Sequence, residues 1–268
     1  MTQGVDDHFL ERALQVAKTA AQRAGELINR YYGADVDVIL KDDASPVTCA
    51  DIESEKVIRD VLLEAFPTHA IYGEEHGLSG EGDFLWLVDP IDGTKSFVRR
   101  YPMFSTQIAL MHRGELVLGV SCASAFGELA WAVRGGGAWL DGKRIGVADI
   151  KLLAQATLST GNLKSLAGAP GWAALAGLVQ EVSRVRGYGD FLHYHLLARG
   201  ALDLVIESDV NILDVAALAV IVREAGGVFT DLDGRELDLQ TRSVLAGTAA
   251  LHQVALHRMH HWREGTHD

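Results

Sequence analysis

Apolar side chains at Phe9, Leu10, Ala13, Val16, Ala17, Ala20, Ala24, Leu27, Ile28 and Tyr31 recur with a helical period, predicting a long amphipathic helix over residues 6–32 that Gly33 ends. An extended piece at 36–40 and a polar loop at 41–48 follow, and Ile52, Val57, Ile58, Val61, Leu62 and Phe66 mark a second helix. Asp51 stands at its N-terminal side, where an N-cap is one reading. The pattern then changes to short apolar runs: strands are expected at 70–73 and 84–88, and antiparallel strands at 106–111, 115–122 and 128–133, joined by turns at 112–114 and 126–127. After Gly146 strands and helices alternate, with strands at 157–160, 202–207, near 228 and at 244–247, and helices at 172–182, 190–199, 213–225 and the C-terminal end. The fold class expected is α+β to α/β: an N-terminal half, 1–147, of helices on an antiparallel sheet, and an α/β half, 148–268.

The candidate chemistry centres on residues 86–97. The apolar strand runs into Asp89-Pro90-Ile91-Asp92, and Pro90 is expected to stop the ladder so that two carboxylates emerge together. Gly93 permits close backbone approach, and a helix opening at Thr94 would turn free N–H groups and a positive dipole end toward a phosphate. Paired acids beside an anion site call for a cation between them, and Mg2+, which takes oxygen ligands and shares its shell with substrate phosphate, fits that need. A surface turn is the plainer alternative for any isolated Asp-Gly. Glu74 and Glu75 end the strand just before this one, so neighbouring strand ends could add Glu74 to the cluster.

Composition narrows the function classes. Of 268 residues, 48% are hydrophobic, ample for a core, and 36 acidic against 24 basic side chains give a net charge of −12. That balance opposes a general nucleic-acid or anionic-membrane surface. With Cys49 and Cys122 the only cysteines, no export signal read at the N-terminus, and no apolar run near the roughly 20 residues needed to span a bilayer, a cytoplasmic protein is expected. The glycine run at 134–138 lacks the Gly-Lys-Ser/Thr of a phosphate loop and reads as a turn. His252, His257, His260 and His261 read as a polar tail, and Lys95, Arg99 and Arg100 as a solvated or subunit-contact loop.

Four motifs in order, Val47-Thr48-Cys49-Ala50-Asp51, Gly73-Glu74-Glu75, the 86–97 segment, and Asp214 with Glu224-Ala225-Gly226-Gly227, resemble those of the inositol monophosphatase family of magnesium-dependent phosphatases. The resemblance implies a layered αβαβα sugar-phosphatase fold, a homodimer, and two or three Mg2+ ions held by Glu74, Asp89, the carbonyl of Ile91, Asp92 and Asp214. It further implies that Thr94 and Asp51, with Glu74, prepare the attacking water, that the Gly93 and Thr94 N–H groups bind phosphate, and that Lys41 lies near the site.

Arg186-Gly187-Tyr188-Gly189-Asp190-Phe191, with Tyr194, Ala198-Arg199-Gly200, Asp203 and Glu207, is similar to the histidinol-phosphate phosphatase branch. Asp190 and Glu207 would suit the ammonium or imidazole of histidinol phosphate better than a neutral polyol; for Asp190 a helix cap is the structural alternative. Rival readings are an inositol-1-phosphate, nucleotide or sugar phosphatase and, from another class, a regulatory protein- or RNA-binding protein on this scaffold. One departure bears on the pocket wall: Leu213 precedes Asp214 where the family usually has Trp.

Overall fold

The alanine-rich stripe folds as the helix Asp7–Tyr32, whose small buried face (Ala13, Ala17, Ala20, Ala21, Ala24, Gly25) allows close packing against the sheet beneath it. At Gly25 an added Cβ would lie 3.0 Å from Ser124 Cβ, so the approach is near its limit. The computed structural model describes residues 5–34, 38–40 and 46–259. Contacts divide it into two units, Met1–Lys143 with Leu213–Ile221, and Arg144–Ile212 with Val222–Asp268. The helical stretch 213–221, and Asp214 with it, groups with the first unit.

In the first unit the helices Asp7–Tyr32 and Cys49–Ala65 pack on a sheet whose strands follow in the order Gly137–Leu140, Glu128–Val133, Glu115–Ala123, Ser105–His112, Phe84–Asp92, Ala70–Gly73, Gly77–Ser79. Neighbours whose registers are defined run antiparallel except Ala70–Gly73 with Phe84–Asp92, which is parallel. The core beneath the helices includes Ile58, Leu62, Trp86, Val88, Ile108 and Val120, all buried. The glycine run forms the turn between Glu128–Val133 and Gly137–Leu140. Part of the loop expected at 41–48 is a strand, Pro46–Thr48, paired antiparallel with Val38–Leu40.

The second unit holds a five-stranded mixed sheet ordered Arg184–Arg186, Thr157–Gly161, Leu204–Ser208, Ser243–Gly247, Val228–Thr230. The first three strands are parallel and the last two antiparallel to their neighbours. Leu158, Leu204, Ile206 and Leu245 meet Leu175, Leu178, Leu251 and Met259 in its core. The chain is thus α+β, with mixed sheets and covering helices, as expected.

Two polar clusters differ from the sequence reading. His252 is no tail residue: the helix Ala249–Met259 buries it, and its Nε2 lies 2.9 Å from Thr230 Oγ1; His257 is exposed, while His260 and His261 lie outside the described residues. Arg100 is not simply solvated. Its guanidinium donates to the carbonyls of Tyr31, Tyr32 and Ala34, closing the C-terminal end of the first helix, where carbonyls lack intrahelical partners. No helix among the described residues is long and apolar enough to cross a membrane.

Candidate active site

The parallel pairing of Ala70–Gly73 with Phe84–Asp92 sets Gly73 opposite Val88, so the shorter strand ends just before the level of Asp89. Glu74 N donates to Val88 O at 3.2 Å, which brings Glu74 next to Asp89. Pro90 does not end the ladder. The strand runs on to Asp92, slips register between Asp89 and Asp92, and resumes with Asp92 opposite Ser105. Pro90, without an N–H, sits in the slip, and its carbonyl accepts from Thr106 Oγ1 at 2.9 Å. Residues three apart on a regular strand face opposite sides, and the slip is what lets Asp89 and Asp92 share one. Asp214, in the first turn of the helix Ile212–Glu224, joins them: one oxygen from each of Asp89, Asp92 and Asp214 lies within 4.8 Å of the others.

Asp89 is buried, and its carboxyl is raised well above its ordinary value, first by that burial and then by the charges of Glu74, Asp214 and Asp92. Ile91 N donates to Asp89 Oδ1 at 2.9 Å, fixing that side chain within its own turn. Beneath Asp92 runs a polar chain: Gln107 Nε2 donates to Ser105 Oγ at 2.7 Å and to Ser121 Oγ at 3.1 Å, and Ser105 Oγ lies 3.4 Å from Asp92 Oδ2. Ser105 and Gln107 escaped the sequence reading, although two buried polar residues alternating on an apolar strand were a usable signal.

Asp51 is not the N-cap. Thr48 is, and Asp51, at the third helical position, completes a capping box: its Oδ2 accepts from Thr48 N at 2.8 Å and from Thr48 Oγ1 at 2.6 Å, while Thr48 Oγ1 accepts from Ala50 N at 3.2 Å. The other oxygen faces Thr94, whose hydroxyl lies 3.1 Å from Asp51 Oδ1 and 3.0 Å from Ile91 O, and can give its one proton to either. Burial raises Asp51, against the bonds from Thr48 and Thr94. Thr94 opens the short helix Thr94–Val98 behind Gly93, which has φ +90°; a Cβ there would lie 2.6 Å from Met103 O, so only glycine fits.

Glu55, one turn after Asp51 on the same helix, was also missed. Fully buried, it accepts from Glu75 N at 2.6 Å, His76 N at 3.2 Å and Arg59 Nε at 2.7 Å, and so anchors the turn that follows Glu74. The structure thus groups Asp51, Glu74, Asp89, Asp92, Thr94 and Asp214 in the first unit, with the Ile91 carbonyl and Gly93 beside them. Their oxygens are all hard donors, and a trio of acids within one ion's reach, two buried and one half-buried, suits a divalent cation.

Asp190 and Glu207 belong to the second unit. Gly189 precedes the helix Asp190–Ala198, and Asp190 is its first residue rather than its N-cap, with a left-handed φ of +46°. Glu207 is buried; its Oε2 accepts from Tyr194 OH at 2.6 Å and lies 3.1 Å from His193 Nε2. Leu213 is buried. Lys41 lies outside the described residues.

Comparison with known proteins bears on the whole chain. The sequence profile of the inositol monophosphatase family matches residues 10–263. The histidinol-phosphatase of Mycobacterium tuberculosis is 40% identical over 261 residues, covering 92% of this chain and 97% of that one. The inositol-1-monophosphatase of Rhizobium meliloti is 36% identical over 241 residues, covering 87% and 91%. The solved inositol monophosphatase of Anabaena superposes with a TM-score of 0.82 at 29% identity, covering 93% and 96%.

Proposed function

The chain belongs to the inositol monophosphatase family, and from that premise we propose that it is a Mg2+-dependent phosphomonoester hydrolase whose substrate is histidinol phosphate. The observation that carries the hydrolase reading is the convergence of Asp89, Asp92 and Asp214 from a strand slip and a helix start. These three, with Glu74 and the Ile91 carbonyl, would hold two or three ions. Bound there, the ions supply Lewis-acid stabilisation of phosphate charge and acidify water. The protein's own part is orientation and proton handling. Asp51, fixed by Thr48, holds the Thr94 hydroxyl so that its lone pairs can accept from the attacking water and its proton can pass toward the carboxylate. The Gly93 and Thr94 N–H groups cradle phosphate oxygens at the helix start.

The substrate assignment draws on the histidinol-phosphatase relatives and on Asp190 and Glu207, acids suited to a cationic distal group. An inositol-1-phosphatase is the second reading, favoured by the inositol-1-monophosphatase relative at 36% identity. The intact acid set speaks against a purely regulatory scaffold. Phosphate release from histidinol phosphate, inositol-1-phosphate, an adenosine bisphosphate and fructose bisphosphate, with and without Mg2+, separates these readings: the highest kcat/KM is expected for histidinol phosphate, and preference for another ester contradicts the assignment. Homodimeric assembly forms part of this reading, and light scattering should return twice the 29.0 kDa chain mass.

A further inference from the structure

The helix Cys49–Ala65 carries Asp51, Glu55 and Arg59 at four-residue spacing, and so along one face. Asp51 engages Thr94, and the other two close on the turn that carries Glu74. That turn, residues 74–76, joins Ala70–Gly73 to Gly77–Ser79, strands that pair over only three positions at the edge of the sheet, with Gly73 opposite Gly77. So short a hairpin is marginal by itself, and the place of Glu74 has to be fixed from outside it.

The backbone shows how. Glu74 N donates to Val88 O at 3.2 Å, Glu75 N to Glu55 Oε2 at 2.6 Å and His76 N to Glu55 Oε1 at 3.2 Å. Three successive amides thus find partners beyond the turn, two of them on one carboxylate. Glu55 Oε1 also accepts from Arg59 Nε at 2.7 Å, and the same guanidinium donates to Gly77 O at 2.6 Å and to Ser79 Oγ at 2.8 Å. Arg59 therefore ties the carboxylate to the returning strand. Gly73 makes the room: a Cβ there would lie 2.1 Å from Glu55 Oε1. The side chain of Glu55 is 0% exposed and that of Arg59 12%. A buried ion pair commonly stabilises a fold no better than packed apolar side chains of its size, such as Ile58 and Leu62 further along this helix. What this pair supplies is a fixed turn.

We propose that Glu55, clamped by Arg59, is a positioning residue for Glu74, holding the 74–76 turn in its ion-binding shape before Mg2+ arrives. This rests on the reading of Glu74 as a Mg2+ ligand. The Glu55 carboxylate is engaged by the turn and acts on the acid cluster only through Glu74. Without it the turn is competent for only part of the time, so the apparent Mg2+ dissociation constant rises in proportion, while enzyme saturated with the ion turns over much as before.

The test begins with metal-free enzyme. Hydrogen exchange at the Glu75 and His76 amides should be about tenfold faster or more in Glu55→Gln, whose amide puts an N–H donor where one acceptor oxygen was. Calorimetric titration with Mg2+ alone should give a dissociation constant raised about tenfold or more. At saturating Mg2+, kcat should change less than about threefold. Gly73→Ala, which crowds Oε1 and leaves Glu55 in place, should move exchange and Mg2+ binding the same way, and it keeps the test open if Glu55→Gln does not fold. Arg59→Lys, which keeps a cation but loses the planar fork, should give a smaller rise in the constant. A folded Glu55→Gln that melts lower yet binds Mg2+ as the wild type does would make Glu55 merely structural and overturn the inference, as would unchanged exchange at the two amides. Wild type that binds no Mg2+ would overturn the metal reading and this inference with it, whereas binding by wild type with no change in the variants overturns the inference alone.

Discussion

Asp89 in the first unit and Glu207 in the second are both buried carboxylates, but Asp89 is surrounded by acids and Glu207 by donors. Glu74, Asp92 and Asp214 crowd Asp89 and raise its pKa, whereas Tyr194 OH and His193 converge on a single oxygen of Glu207. Acids that repel one another in a desolvated place are at ease only when a cation is shared among them. A carboxylate met by donors is complete without one and can serve recognition. The contrast separates two kinds of buried carboxylate: the first calls for a cation among its acidic neighbours, and the second is already met by donors.

Neutralising each acid in turn sets the two carboxylates apart most strongly. Asp89→Asn should lower kcat/KM by more than about 100-fold, beyond what loss of a residue merely supporting a metal ligand costs, while in metal-free buffer it should melt at or above the wild-type temperature because a repulsion is gone. Glu207→Leu should do the reverse to stability, losing about 1 to 3 kcal/mol as its donors lose their acceptor. A folded Asp89→Asn enzyme with full activity would remove Asp89 from the proposed metal site.

Thr94→Val probes the proton path inside the first cluster and should slow turnover about 100-fold with little change in stability, since Thr94 lies outside the capping box. Asp51→Ala should lose the same activity and, in addition, about 1 kcal/mol of stability as the helix cap fails. Equal thermal losses in the two variants would show that Asp51 has no separate capping role.

Asp190→Ala addresses the recognition side. A lost charge-assisted bond of about 1.5 to 3 kcal/mol would cut kcat/KM for histidinol phosphate roughly 10- to 100-fold and spare inositol-1-phosphate. Equal losses on the two esters would make Asp190 a structural residue.

The smallest effect is one of pH. Asp89, raised above its ordinary 3.8, binds its proton more tightly folded than unfolded. Its contribution is complete below 3.8 and is lost as pH rises through the elevated folded value, so metal-free wild type should lose stability with rising pH relative to Asp89→Asn. Saturating Mg2+ should flatten that difference. Thermal denaturation of both proteins across this range, with and without the ion, checks the sign.

Much of this was legible in residue order. The 3.6-residue period of the first helix, the apolar run at 84–88 and the Asp-Pro-Ile-Asp-Gly-Thr sequence each report local rules, and the fold follows them. What local rules cannot report is pairing. Continuation of the strand past Pro90 depends on a register slip against Ser105–His112, the role of Asp51 depends on Thr48 three residues earlier, and the burial of His252 depends on Thr230 on another element. Glu55 and His193 read as ordinary helix residues until their partners, backbone amides in one case and a glutamate and a serine in the other, are brought to them.

Everything proposed for the first unit depends on the Asp89, Asp92 and Asp214 cluster working by holding Mg2+. The direct measurement is the rate of phosphate release from histidinol phosphate by metal-stripped enzyme as Mg2+ is titrated in. No release is expected without the ion, a saturable rise on adding it, and loss of that rise in Asp89→Asn; release that continues undiminished in the presence of a chelator would contradict the metal-held mechanism.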